Sequence, residues 1–508
     1  MTRATAALGS RTFDLLIVGA GVYGAALAYE ACQRGYSVAV VDRGDFGSGT
    51  SSNSLKILHG GLRYLQQLNL PRMRSSIRAR RDWAQLAPAF IEPLACAVAT
   101  QGWGRRSVAA LSAGLLVNEV VSFDRNSGLS DRLRLPAARL LSREEYAAVT
   151  QGLLSTHSRG ALWWDALALN TERLVLELLM RAADMGAQLA NYVEAKELVT
   201  QGGTVHGVKA LDLESNSHID IQATRVICTG GSLASGLLDG LPGTQLARRT
   251  RCTALNLIVG RKMPTNIALA LSAPDGGRPG RGDLFFVPWR GRTMVGTHYF
   301  VAGAQGTTPE GSRAAVDDFL GMIQSAAPQW DIRHSDITFI HRGDLPMDPR
   351  WRAGQPPVLS SEAEVLDGGR EFGIAGLWLV NGPKFTTAQE VAKFTLARIQ
   401  GQRWPSIPAK ADRVASTQSL QGLLAMDAEK DLVAKARLAA RHTHAAHLAD
   451  VVLRRTDCGA SGYPGDADLE ACAKGMGHEL NWSQSRMAAE ISAVQQNYRD
   501  WHFWKPPQ

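Results

Sequence analysis

Several large functional classes leave no trace in this chain of 508 residues. Its six cysteines, at 32, 96, 228, 252, 458 and 472, form no C-x-x-C pair and no short zinc spacing. A disulfide framework and a dithiol redox motif are therefore excluded, and reduced, mostly buried thiols of a cytosolic protein are expected. No apolar run approaches the roughly 20 residues that span a bilayer, and the opening MTRATAALGSRTF has no apolar core of a secretory leader. Any membrane contact is thus expected to be peripheral. It would run through SVAALSAGLLVNEVVSF (107–123), beside Arg105 and Arg106, or through the aromatic tail WHFWKPPQ. Core packing and a docked terminus are the plainer readings of those two segments. His442, His444 and His447 lack the i, i+4 spacing and the H-E-x-x-H setting of helical metal sites, so they read as surface histidines and no metal is expected. No internal repeat is evident.

Acid is in deficit: 47 Asp and Glu face 55 Lys and Arg, for a net charge of +8. That balance suits an anionic substrate, an anionic cofactor or an acidic membrane surface, and gives no reason to expect nucleic acid. The run PRMRSSIRARR (71–81) reads as a solvated helix face, with anion steering as its other use. At 45% hydrophobic, the chain can bury two ordinary cores and a smaller third.

What is present begins at once. FDLLIV (13–18) is a near-continuous apolar run, the pattern of a parallel strand buried on both faces. Gly19, Gly21 and Gly24 follow as G-x-G-x-x-G: one for the tight turn, one for close backbone approach to a pyrophosphate, one for helix packing. A helix over about 22–34 ends at Gly35, and a second strand (36–41) delivers Asp42, placed to accept from a ribose hydroxyl. Strand, turn, helix, strand and acid in this order predict a dinucleotide site. NAD and FAD both satisfy it.

The next stretch, RGDFGSGTSSNSLKILHGGLRYLQ, is a loop dense in Gly and Ser, rich in backbone donors. Ser51, Ser52, Ser54, Lys56, His59, Gly60, Gly61, Arg63, Tyr64 and Leu65 match S-S-x-x-S-x-K-x-x-H-G-G-x-R-Y-L, and so the chain resembles the flavin-dependent glycerol-3-phosphate dehydrogenases, a divergent member within the D-amino-acid-oxidase-like flavoproteins. Further pieces share the resemblance: GALWWDALALNTERLVLELLMRAADMGAQL (160–189), TRVICTGG (224–231), DLFFVPWRGRTMVGTHY (283–299), GLWLVNGPKFTTAQEVAKF (376–394) and a C-terminal region from 447 to 491.

The resemblance implies an α/β fold: a Rossmann-like FAD-binding domain (11–90, 160–240 and 359–402) interleaved with an antiparallel-sheet substrate domain (91–159 and 241–358), then a small helical C-terminal domain (410–508). It implies FAD as cofactor, touched by Gly19, Gly21, Gly24, Asp42, Arg43, Thr50, Ser51, Ser52, Ser54, Lys56, His59, Gly60, Gly61, Thr229, Gly230, Gly382, Lys384, Phe385 and Thr386. It also implies oxidation of a secondary alcohol, glycerol 3-phosphate or a related small anionic 2-hydroxy compound, with quinone or oxygen as electron acceptor. Amine or D-amino-acid oxidation on the same fold is the alternative, and a flavin-bearing binding protein a third reading.

His59 is the expected base or proton relay, unless it is simply fixed by backbone in its Gly-Gly turn. Arg63 and Lys384 would bring positive charge to developing negative charge, or pin a loop; Tyr64 would bond substrate or wall the pocket. Departures from the family pattern bear on the substrate. Its phosphate-binding arginine in G-[VL]-R-P falls on Leu345 of FIHRGDLPM, a second falls in LSSEAEVLD (359–367), which has no arginine, and its strand histidine falls near Asn256. Arg342, with His341 and His298, is then the expected residual anion contact.

Overall fold

The computed structural model describes residues 5–62, 69–100, 102, 104–151, 158–231, 235–238, 251–271, 283–301, 309–401 and 418–502. The strands, in chain order, are β1 Leu15–Val18, β2 Val38–Val41, β3 Ile57–Leu58, β4 Ile91–Ala99, β5 Arg139–Leu141, β6 Gly160–Ala168, β7 Gln188–Ala190, β8 Val193–Gln201, β9 Thr204–Asp212, β10 Ser217–Gln222, β11 Val226–Cys228, β12 Arg251–Val259, β13 Ala268–Leu271, β14 Leu284–Trp289, β15 Arg292–Phe300, β16 Ile337–Pro346, β17 Glu364–Asp367 and β18 Leu377–Asn381. The longer helices are α1 Val22–Gln33, α2 Leu70–Leu86, α3 Val108–Val121, α4 Thr171–Asp184, α5 Pro309–Ala326, α6 Ala388–Ile399, α7 Gln418–Ala428, α8 Leu432–His442, α9 Asp466–Leu480 and α10 Gln484–Trp501.

A six-stranded sheet runs β17-β18-β11-β1-β2-β7, parallel except for the edge strand β17. Leu15, Ile17, Val38 and Val40 pack with Ala25 and Ala28 of α1 and Leu174 and Leu178 of α4; Leu16, Ala39 and Val41 pack with Val193 and Val208 of the three-stranded sheet β10-β9-β8. Both faces are covered, which is why β1 and β2 read as unbroken apolar runs rather than alternations.

The second large sheet runs β16-β12-β15-β14-β13-β4-β6-β3 with β5 beside β6. One face, through Leu255, Leu257, Phe286, Val295 and Ile340, packs on Phe319 and Ile323 of α5. The other, through Ile258, Ala270, Val287, Met294 and Phe339, joins the core shared with the nucleotide unit. Strands β3 and β6, both anticipated in the nucleotide unit, lie in this larger sheet, β6 pairing along its whole length with β4 and near its end with β3. The segment Gly160–Ala168 is thus an interior strand of the sheet that faces the nucleotide unit.

Three further expectations also change. In α2, Met73, Ile77, Arg80 and Ala84 recur at helical spacing and are all buried, so the basic run is not wholly solvated. Helix α3 buries only Leu115 and leaves Leu116 and Val120 exposed, as is Phe123 just beyond it, so it is not a core helix. No helix among the described residues is long and apolar enough to cross a membrane. His444 is buried against Phe46, and His447 lies between Glu214 and Glu490, so neither is a free surface histidine.

Candidate active site

The glycine turn forms as the spacing demands. Gly19 has φ +105°, and a side chain there would strike the backbone of Thr229 and Gly230. A Cβ at Gly24 would collide with the Gly19 carbonyl and the Thr229 hydroxyl, which itself donates to Gly19 O at 2.6 Å. The third glycine therefore lets α1 and the β11 loop close on the turn. Gly21 caps α1 without a side chain, leaving room at a helix end that attracts phosphate.

Asp42 accepts the N–H groups of Ala20 (2.6 Å) and Gly44 (2.8 Å). Its enclosed position raises its carboxyl to about 6 against the pull of those two donors. Arg43 beside it is exposed. The following loop folds back over the turn: Ser51 Oγ accepts Val22 N–H at 2.9 Å, and Thr50 Oγ1 donates to Asp344 O of β16 at 2.9 Å. Ser52 donates to Gly49 O at 3.2 Å, and Ser54 Oγ accepts Lys56 N–H at 3.3 Å.

Lys56 corrects an expectation. Its fully buried ammonium donates to Ser52 O (2.6 Å), Thr171 Oγ1 (2.9 Å) and Glu172 Oε2 (2.8 Å), which occupies its three donors. Its side chain pins the loop to α4 and has no proton left for a cofactor oxygen.

The loop ends at β3 and the H-G-G turn, where Gly61 takes φ +88°. His59 keeps 46% of its side-chain surface and packs edge-on against Phe285, ring centroids 5.4 Å apart. Its Nδ1 lies 3.0 Å from Asp165 Oδ2, on β6. Asp165 is buried, and burial alone would raise its pKa. The hydrogen bond and charge of His59, the Arg80 guanidinium and the Gly60 N–H outweigh that and hold it at about 2. Gly60 N (2.6 Å) and Arg80 Nη1 (3.0 Å) both donate to Oδ1, and Trp163 Nε1 to Oδ2 at 3.3 Å. An ionised Asp165 can only accept, so Nδ1 of His59 carries the proton that points to it, and in the neutral imidazole the lone pair lies on Nε2.

The segment Gly382–Thr386 is tied to the helices α1 and α2. Tyr23, in the first turn of α1, donates its hydroxyl to Lys384 O at 2.7 Å and accepts Lys384 N–H at 3.3 Å; a Cβ at Gly382 would occupy the place of that hydroxyl. Trp83 donates to Thr386 O at 2.9 Å and its ring lies 5.3 Å from that of Phe385. Helices α1 and α2 thereby brace the segment that carries Lys384.

Arg342 and His298 do not join this site. Both are opposite Leu255, whose side chain lies in the α5 core; Arg342 stacks 3.6 Å from Trp501 and reaches Ser312 at 3.4 Å, while His298 stacks on Phe319. Alternation along the strand puts them on the face away from His59. Asn256, by contrast, bonds Asn53 O at 3.2 Å on the loop side. His341 is paired across from Asn256 but is buried between Trp289 and Phe339. Arg63 and Tyr64 lie outside the described residues.

Asp165 and Arg80 were the residues most open to discovery in sequence. A lone acid within GALWWDALA is a buried charge that must find a partner, and the 73-77-80-84 spacing turns Arg80 inward. Tyr23 and Trp83 left no comparable signal.

A model of the FAD dependent oxidoreductase family matches residues 14–398, three quarters of the sequence. The chain belongs to that family. Its cofactor is FAD. A glycerol-3-phosphate dehydrogenase from Synechocystis is 26% identical over 412 residues, 78% of this chain and 71% of that protein. Glycerol-3-phosphate dehydrogenase 2 from Mycobacterium tuberculosis is 27% identical over 395 residues, 76% of this chain; the match spans only 62% of the mycobacterial protein. Among solved structures, the glycerol-3-phosphate dehydrogenase from Bacillus halodurans complexed with FAD superposes with a TM-score of 0.68 at 18% identity, over 99% of this chain and 98% of that one. At that identity the likeness speaks to fold.

Proposed function

We propose that this oxidoreductase takes a secondary alcohol to a ketone on a small anionic 2-hydroxy compound, glycerol 3-phosphate or a close analogue, with His59 as the base. The carrying observation is the half-exposed imidazole of His59 held through Nδ1 by the buried, ionised Asp165. The lone pair on Nε2 is thereby free to take the hydroxyl proton, and the resulting imidazolium is stabilised by the carboxylate behind it. FAD, when bound, supplies the two-electron acceptor for the carbon-bound hydrogen.

The glycine turn and α1 terminus would hold the pyrophosphate, Asp42 the ribose, and the 50–54 loop with Thr229, Gly230 and Gly382–Thr386 the remainder. Lys384 supplies positive charge as the alkoxide develops, and Phe285 limits water at the imidazole. The two dehydrogenase relatives support the substrate class. Leu345 and Asn256 on the facing sheet mean that any phosphate recognition rests on other residues than the family arginine and histidine.

Anaerobic mixing of the holoprotein with glycerol 3-phosphate, its phosphonate, glycerol and other 2-hydroxy acids should bleach the flavin with at least one anionic alcohol. Bleaching by amino acids or amines alone, or by none of the alcohols, rejects the reading.

A further inference from the structure

The loop that follows β2 carries a fully buried acid the oxidation does not use. Asp45 receives both terminal nitrogens of Arg455, Nη2 to Oδ1 at 2.6 Å and Nη1 to Oδ2 at 2.8 Å. Arg454 Nε adds a bond to Oδ2 at 2.5 Å, and Asn191 Nδ2 one to Oδ1 at 3.3 Å. Neither the Asp45 nor the Arg455 side chain touches solvent. Arg454 also bonds Asp450 at 2.7 Å, which receives the Tyr192 hydroxyl at 2.6 Å. Two acids and two guanidinium groups balance to zero charge, the condition under which such a cluster survives burial.

The arginines belong to the C-terminal region, on a π turn, Val451–Arg455, whose wider winding lets two consecutive residues reach the same carboxylate. Asn191 ties the cluster again to that region by donating to His444 O at 2.7 Å, and Arg455 Nε bonds Thr443 Oγ1 at 2.9 Å. On the other side, Asp45 is three residues from Asp42 and six from Ser51. Gly47 N–H donates to Ala20 O at 3.1 Å, inside the glycine turn. The stretch gripped by the arginines is therefore the stretch that lies against the nucleotide cradle.

We propose that Arg454 and Arg455 are positioning residues for FAD: by clamping Asp45 they hold the 42–54 loop over the glycine turn, which couples cofactor binding to the seating of the C-terminal helices. Such coupling is reciprocal: FAD must tighten the docking of residues 443–456 as much as that docking tightens FAD. The inference rests on the family's cofactor and not on the substrate.

The test uses full-length apoprotein titrated with FAD, followed by flavin fluorescence. Arg455→Met and Asp45→Asn should each raise the Kd at least tenfold, while Arg441→Ala, which breaks the exposed Arg441–Glu479 pair within the same region, should leave it unchanged. In the unmutated protein, FAD should slow amide exchange at 443–456 as well as at 42–54. A folded Arg455→Met or Asp45→Asn that binds FAD within twofold of the parent overturns the proposal. So does exchange at 443–456 indifferent to FAD, a result that stands even if both variants fail to fold. Neither readout involves turnover, so a wrong substrate leaves this test intact.

Discussion

Replacing Asp165 with asparagine separates an oriented base from a merely placed histidine. The substitution conserves shape, and the neighbours dictate how the amide sits. Gly60 N at 2.6 Å and the charged Arg80 Nη1 at 3.0 Å converge on Oδ1 and outweigh the longer Trp163 Nε1 contact on Oδ2 at 3.3 Å, so the amide oxygen stays at Oδ1. The NH2 then occupies the Oδ2 place, 3.0 Å from His59 Nδ1, and is itself a donor. His59 Nδ1 must become the acceptor, which moves its proton to Nε2, the atom that has to receive the substrate's proton. The base is lost without the ring being moved.

General-base catalysis contributes about 10²–10⁴ in rate, or roughly 3–5 kcal/mol at 1.36 kcal/mol per decade. Asp165→Asn should lower the rate of anaerobic flavin bleaching by that factor, with the substrate concentration for half-maximal rate little changed. Arg80 loses its buried counter-charge as well, at a cost of about 3–5 kcal/mol, so the melting temperature should fall and rates must be counted per bound flavin. His59→Gln should lose as much, and the double variant no more than either single one, since both remove one function. A folded, flavin-loaded Asp165→Asn within threefold of the parent rate would refute the tautomer argument.

Gly60→Ala should destabilise the protein by about 3 kcal/mol, because its Cβ would run into the Arg80 guanidinium and part it from Asp165; thermal unfolding reads this directly. Tyr23→Phe should cost about 1–2 kcal/mol by stripping a partner from Lys384 O, and should raise the Kd for FAD as the Gly382–Thr386 segment loosens. His447 has its pKa lifted to about 10 by hydrogen bonds to Glu214 and Glu490. Its folded value thus exceeds the unfolded one, near 6.5, so the stabilisation is whole below that pH and drains away as pH rises through about 10. Urea denaturation should show stability falling across that window, on the order of 1 kcal/mol after solvent screening, and His447→Gln should flatten the slope.

Much of the nucleotide unit could be read from local pattern because each signal there has a single physical cause. An unbroken apolar run means a strand covered on both sides, and β1 is covered by α1 on one face and by β8–β10 on the other. G-x-G-x-x-G means three close approaches, and two of them are visible as collisions a Cβ would make with Thr229 and with the Gly19 carbonyl. The placement of β6 was harder. Nothing in GALWWDALA distinguishes a strand of one buried sheet from a strand of the other; only its register with β4, about 70 residues earlier, decides it. Lys56 misled for a related reason: a motif names residue types, while the buried Glu172 that claims its ammonium lies 116 residues away.

The substrate side was least legible, and the cause lies in how strands present residues. Proximity in sequence made Arg342 look like a substitute for the arginine missing at Leu345, three residues on. A strand alternates faces, so a substitute must stand an even number of residues away; three places Arg342 against Trp501 and the α5 core, while Leu345 and Asn256 stay on the loop side. On the proposed reading, a site in which Asp165 holds His59, yet which offers leucine and asparagine where the family pattern has arginine and histidine, loses charge without losing the proposed base. The chemistry and the choice of substrate are therefore separable here. Restoring Leu345→Arg should tighten glycerol 3-phosphate at least tenfold over glycerol in the bleaching assay, and an unchanged preference would show that the anion is held elsewhere.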